Sequence, residues 1–189
     1  MFTEWDLPQR FALAAEHGFE AVELTLPYDC APERLAQARE QTGLDVIVFA
    51  GPVGDFIEGG EGIAAVPGKE IAFRESLTLA LEYAQALNAQ MVHVVAGRCA
   101  GQATQPGRRK RYLQTLASNL NEAAALFARY GIRIALEAIN TRDYPDYLVS
   151  TPEQLWHMVE RVDTPLVPIF DTLHTCVMGI DPAKEIRLN

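Results

Sequence analysis

The chain has 189 residues, 49% of them hydrophobic and 22% charged, with a formal net charge of −9. That is an ordinary globular composition with enough chain for one core, and the acidic balance argues against a generic nucleic-acid binder. No apolar run reaches the length of a membrane span. Cys30, Cys99 and Cys176 are odd in number, widely spaced and free of any C-x-x-C pattern, so neither a disulfide framework nor a zinc finger is indicated. Residues 1–10 lack the charged start and apolar core of a secretory signal. The expectation is a cytoplasmic protein with neither a nucleic-acid nor a membrane partner.

Asp6-Leu7-Pro8 reads as a helix start, with Asp as cap and proline in the first turn; Leu7, Phe11, Ala14 and Ala15 repeat at helical spacing up to Gly18. Residues 21–26 alternate as a strand. A second helix spans 32–41 and closes at Gly43. Residues 44–50 form a dense apolar run, the mark of a parallel strand covered on both faces. The loop 51–68 follows, with six glycines but without the G-x-G-x-x-G order of a dinucleotide cradle. Loops this long inside compact domains serve as lids or binding loops; a floppy surface loop is the plainer reading.

Residues 69–87 form a strong amphipathic helix, 91–95 a strand, and 109–130 another helix ended by Gly131. The dense basic cluster Arg108, Arg109, Lys110 and Arg111 opens that helix and reads as a solvated face. An apolar strand, 132–139, carries Glu137 near its C-terminal end. Thr151-Pro152-Glu153-Gln154 is a capping-box signature for a helix running to about residue 162. Residues 166–170 are a strand with Asp171 at its end, and Asp181-Pro182 begins another helix. Strands alternating with helices predict a parallel sheet with right-handed crossovers, here of about five strands in one domain spanning 1–189.

A charge at the end of a buried strand is expensive unless something pairs with it. Glu137 and Asp171 stand 34 residues apart, one βα unit, so in a parallel sheet they converge. Two such carboxylates can hold a divalent cation, Mg²⁺ or Mn²⁺; each can equally cap its following loop or pair with an arginine. His174, three residues after Asp171, can face the same pocket or be structural. Arg98 ends a strand, where it can bind an anionic substrate or lie on the surface. Spacing does not decide whether Glu23 faces a barrel mouth or a helix. His93 can equally be a satisfied core residue, and His17 and His157 read as surface or packing residues.

Four stretches are similar to the hydroxypyruvate isomerase family of the xylose-isomerase-like TIM barrels. They are Leu24-Thr25-Leu26-Pro27-Tyr28-Asp29; Gly54-Asp55-Phe56 with Gly60-Glu61-Gly62-Ile63-Ala64 and Pro67-Gly68; Glu137-Ala138-Ile139-Asn140 with Asp143; and Phe170-Asp171-Thr172-Leu173-His174. The family usually has proline where this chain has Ala138, and tryptophan where it has Phe56. The resemblance implies an α/β fold of the (β/α)8 TIM-barrel type, here an incomplete barrel carrying strands two to six of eight. It implies an isomerase interconverting hydroxypyruvate and tartronate semialdehyde through a metal-stabilised enediolate. Glu137 would be both metal ligand and proton-transfer group, Asp171 the second ligand, and Asp143 and His174 substrate contacts; Arg98 is added as a substrate-binding candidate from its strand-end position alone. The family's two remaining ligands and its second catalytic glutamate sit on strands seven and eight, so this chain is expected to be an inactive or partial fragment.

Other readings stay open. One is a 2-oxo-tetronate isomerase or ketose 3-epimerase of the same superfamily; another is a non-catalytic degenerate fragment. An apurinic-site endonuclease shares Asp-x-x-His but would need extra histidines and basic loops, and Phe49-Ala50-Gly51 holds no histidine. A flavodoxin-like sheet would need a phosphate loop after its first strand, and Pro27-Tyr28-Asp29-Cys30 is a poor one. The partner in the favoured reading is a small hydroxy-carbonyl acid, and a homo-oligomer is compatible with it.

Overall fold

The structure, a computed structural model, describes residues 1–101 and 104–188. Its elements run α1 (Leu7–Glu16), β1 (Ala21–Leu24), α2 (Pro32–Thr42), β2 (Asp45–Ala50), α3 (Glu70–Ala86), β3 (Met91–His93), α4 (Arg108–Ala128), β4 (Arg133–Glu137), α5 (Pro152–Val159), β5 (Val167–Ile169), α6 (Thr172–Val177) and α7 (Pro182–Leu188). The five strands are all parallel, and their spatial order is their chain order. Every crossover therefore steps in the same direction. Right-handed connections then put the helices on one face of the sheet, where α1 packs on α2, α2 on α3 and α3 on α4. A doubly wound sheet reverses direction at a switch point, and none occurs among the described strands, so the flavodoxin-like arrangement is excluded.

Local sequence explains where the elements begin. Asp6 accepts the Gln9 N–H at 3.0 Å while the Gln9 side chain accepts the Asp6 N–H at 3.3 Å, a reciprocal cap on α1. Thr151 caps α5 by accepting the Gln154 N–H, but the Gln154 side-chain oxygen accepts the N–H of Ser150, one residue before the cap. Gly43 closes α2 in the left-handed region, at φ 70°.

Strands alternate faces. Phe49, Val92, Ile134 and Leu136 point into the helix layer and join the continuous apolar core. Residues one step along, Ala50, His93 and Glu137, line the opposite face. At the sheet's edge β5 carries Pro168, a residue that cannot donate to a ladder. All three cysteines are free, and among the described residues no helix is long and apolar enough to cross a membrane.

The strands are shorter than the apolar runs suggest: 21–24 rather than 21–26, 91–93 rather than 91–95, 133–137 rather than 132–139. Pairing ends where the chain turns out over the C-terminal edge; beyond it Val94, Ala138 and Ile139 stay buried while Thr25 is exposed. Two elements are additional. Gly54–Phe56 makes a 3-10 turn inside the long loop, and Thr172–Val177 forms α6 directly behind Asp171.

Candidate functional site

The C-terminal edge of the sheet carries a cavity of about 490 Å³. The β4–β5 register sets Glu137 opposite Ile169, so Asp171, two residues further on, stands beside it. Asp171 is also the cap of α6: its Oδ1 accepts the N–H groups of Leu173 at 2.6 Å and His174 at 3.3 Å. Capping fixes the aspartate and turns the first helical residues, His174 included, back toward Glu137. Ligand atoms of Glu137, Asp171 and His174 all lie within 4.8 Å of one another. A carboxylate has two oxygens, so capping through one leaves the other for the cavity.

The electrostatics are those of unrelieved like charge. Burial, then Asp171, then Glu23 push the Glu137 carboxyl up to about 7. Burial and the Asp171 charge likewise raise Glu23. Burial, with His174 nearby, depresses the His93 imidazole to about 4, so near neutral pH it is uncharged. Its Nδ1 is 3.8 Å from Glu137 Oε2, which is then neither an ion pair nor a hydrogen bond. His93 Nε2 is buried without a hydrogen-bond partner among the described residues.

Beside this cluster Asn140, fully buried, makes four hydrogen bonds. Its Oδ1 accepts the N–H groups of Arg142 at 3.0 Å and Asp143 at 2.8 Å. Its Nδ2 reaches Asp143 Oδ2 at 2.9 Å and His174 Nδ1 at 2.8 Å. Asp143 is exposed and joins the site only through this amide.

The loop 51–68 forms the wall of the cavity, and it is fastened rather than floppy. Arg98 donates through Nη1 to the carbonyls of Phe56 at 2.7 Å and Gly60 at 2.8 Å, and its guanidinium lies 4.2 Å over the Phe56 ring. Phe56 stacks on Tyr144 at 5.7 Å between ring centres. Glu61 accepts from Arg108 at 2.9 Å, Tyr112 at 2.9 Å and the Ala100 N–H at 2.8 Å. Asp55 accepts the Gly62 N–H at 2.8 Å and pairs with Lys69 at 3.2 Å; Asn119 donates to the Ala64 carbonyl at 2.8 Å. The backbone of Gly97, Arg98 and Cys99 threads between this loop and residues 146–148. Gly97 is in the left-handed region at φ 81°, and a Cβ there would collide with the Glu61 carbonyl oxygen.

Glu137, Asp171 and His174 thus come together, and Asp143 is linked to them through Asn140. Arg98 is turned to the wall, where its packing holds Phe56 against the cavity. The basic cluster is only partly a solvated face. Lys110 and Arg111 are exposed, but Arg108 holds Glu61 and Arg109 donates to the Leu148 carbonyl at 2.6 Å. Three residues of the site were not singled out from sequence: Glu23, His93 and Asn140. His93 pairs in register with Ala135, two residues before Glu137, so strand periodicity with the register identifies it. Glu23 could not be found that way. The β1–β2 register skips Ile47 between Val22 and Glu23, and that irregularity sets which face Glu23 meets. A larger groove of about 720 Å³ runs along α1 and the outer edge of β1, but it lacks the Glu137–Asp171–His174 cluster.

Residues 11–189 match the family model described as xylose isomerase-like TIM barrel. A Danio rerio protein carrying a provisional hydroxypyruvate isomerase name is 35% identical over 99% of this chain and 69% of its own length. A 2-oxo-tetronate isomerase of Cupriavidus necator is 34% identical over 99% of this chain and 71% of its own. The crystal structure of a Brucella melitensis protein described as AP endonuclease, family 2 superposes with a TM-score of 0.91 at 34% identity, covering 99% of this chain and 71% of that one. The chain thus spans about 70% of the length of the relatives it matches.

Proposed function

Because this chain belongs to the xylose isomerase-like TIM barrel family, we propose that its cavity serves the isomerisation of a small hydroxy-carbonyl acid, with hydroxypyruvate and tartronate semialdehyde as the interconverted pair. The observation that carries this reading is the meeting of Glu137, Asp171 and His174 within 4.8 Å at adjacent strand ends.

The residues present fit a divalent cation. Glu23, Glu137 and Asp171 face one cavity, and no lysine or arginine is among the residues that line it. Two carboxylates of hard oxygen donors suit Mg²⁺ or Mn²⁺. Glu137 and Asp171 would hold it, and when bound such an ion supplies Lewis-acid stabilisation of charge on neighbouring oxygens. The proton chemistry belongs to the chain. Burial, Asp171 and Glu23 raise the Glu137 carboxyl to about 7 in the metal-free chain; beside a cation it would be drawn back down, leaving Glu137 a carboxylate able to accept a proton. Glu137 takes a proton from C3 of hydroxypyruvate, leaving an enediolate, and a proton is returned to C2; the hydroxyl proton moves from O3 to O2. His174 and Asp143 orient the acid, and the wall of Phe56 and Tyr144 keeps water from the reacting carbons.

The surroundings do not support DNA binding. Arg108 and Arg109 of the basic cluster are engaged with Glu61 and the Leu148 carbonyl, so little of that cluster is left for phosphates.

Titration calorimetry with Mn²⁺ on the full 189-residue chain tests the reading. Binding in the parent chain and its loss in Glu137→Ala is the expected result. No binding in the parent would leave a degenerate, non-catalytic fragment as the reading. A substrate panel of hydroxypyruvate, 2-oxo-tetronate and a free ketose, followed by loss of the C–H signal in deuterated water, separates the isomerases from a 3-epimerase.

A further inference from the structure

We infer that Asn140 is a positioning residue that locks His174 in the tautomer protonated at Nε2, making His174 a hydrogen-bond donor to the bound acid rather than a metal ligand. The inference rests on the site as read above and adds the device that divides its three side chains between two tasks.

The argument is one of hydrogen counting. An amide offers an oxygen that only accepts and a nitrogen that only donates. The N–H groups of Arg142 and Asp143 both point at one end of the Asn140 side chain, at 3.0 and 2.8 Å, so that end is the oxygen. The other end is therefore NH₂, and both its hydrogens have a destination. One goes to Asp143 Oδ2 at 2.9 Å and the other to His174 Nδ1 at 2.8 Å. Flipping the amide would set two N–H donors against NH₂ inside a fully buried residue, an expensive mismatch.

His174 Nδ1 must then offer a lone pair. A neutral imidazole with a bare Nδ1 carries its hydrogen on Nε2. A nitrogen that carries hydrogen cannot ligate a cation, so among Glu137, Asp171 and His174 only the carboxylates are free to do so. His174 instead presents an N–H to an oxygen of the substrate. The same amide holds Asp143 by its carboxylate, so one buried residue brackets both substrate-contacting positions.

Nitrogen-15 NMR of the full chain with labelled histidine, at pH about 8 where an ordinary imidazole is neutral, reads the tautomer directly. The signals of His174 are assigned by difference from His174→Gln. The expected spectrum has a pyrrole-type Nε2 and a pyridine-type Nδ1; the reverse pattern overturns the inference without any variant having to fold.

Asn140→Asp provides the second arm. Its Oδ1 still receives the two backbone N–H groups, but its other oxygen accepts from Nδ1 and should move the hydrogen there. Nε2 becomes bare, and Mn²⁺ alone should bind about tenfold more tightly, the scale of other outer-shell effects. In Asn140→Asp with His174→Gln that gain should vanish. If it persists, the added charge and not His174 is responsible, and the assignment fails. Neither arm measures isomerisation, so an inactive chain would leave this inference standing, and a wrong tautomer would leave the isomerase reading standing.

Discussion

Two neighbouring regions of this molecule use acidic side chains to opposite ends. In the wall, carboxylates meet donors. The Gly62 N–H, with Lys69 beside it, holds Asp55 below the usual range. Burial pushes Glu61 up, but Arg108, Tyr112 and the Ala100 N–H together outweigh it and leave it lowered. In the cavity, Glu137 and Glu23 meet burial and the Asp171 charge, and both are raised. In the wall the charges are compensated, whereas in the cavity they are not among the described residues. Such like charge is relieved by taking up a proton or by a ligand, which is why it singles out this cavity as the candidate site.

The contrast can be broken or sharpened by substitution. Gly97→Ala should be the most damaging, because a left-handed residue gains a Cβ aimed at the Glu61 carbonyl oxygen. A loss of about 3 kcal/mol or more in urea unfolding is expected, and a change inside ~0.5 kcal/mol would show that the wall yields at no strain.

Glu137→Gln should do the reverse and stabilise the metal-free chain. The unfolded chain loses this proton near 4.5 and the folded chain near 7, so folding binds the extra proton between those values. The parent's stability therefore falls as pH rises through that window, and the variant's does not. The gain should approach about 3 kcal/mol at pH 8 and disappear below the ordinary glutamate range. His93, depressed by burial and by His174, imposes the opposite slope between 6.5 and about 4. The two effects mask one another in the parent, and removing Glu137 exposes the His93 slope as stability lost on acidification.

Glu61→Gln should cost about 2 kcal/mol, the scale of a partly buried charge-assisted hydrogen-bond set. Its effect belongs above the ordinary glutamate range and should fade as pH falls and the parent's Glu61 is itself protonated. A loss that persists unchanged at acid pH would mean that packing, not charge, fastens the wall.

Much of this was legible in the sequence. The apolar runs and helical stripes prescribe alternating elements, because burial of one face imposes a period on the chain. Glu137 and Asp171 stand out as charges at the ends of apolar strands, and spacing by one βα unit brings them together. What escaped did so for identifiable reasons. Asp171 looked like a strand-end carboxylate but is equally a helix cap, since α6 is too short to display a period. Arg98 and Arg108 carry no sequence mark to separate a surface charge from a clamp, because their partners are 38 to 47 residues away. Asn140 is one polar residue in a loop until its three partner residues, Arg142, Asp143 and His174, are located.

The sequence by itself determined the order of elements, the parallel winding and the two strand-end carboxylates, all of which follow from local patterns of burial. Only the tertiary structure decided which face Glu23 meets, that His93 Nε2 has no hydrogen-bond partner among the described residues, and that Asn140 stands between Asp143 and His174. Those outcomes depend on strand register and on contacts between segments far apart in the chain, which no local pattern encodes.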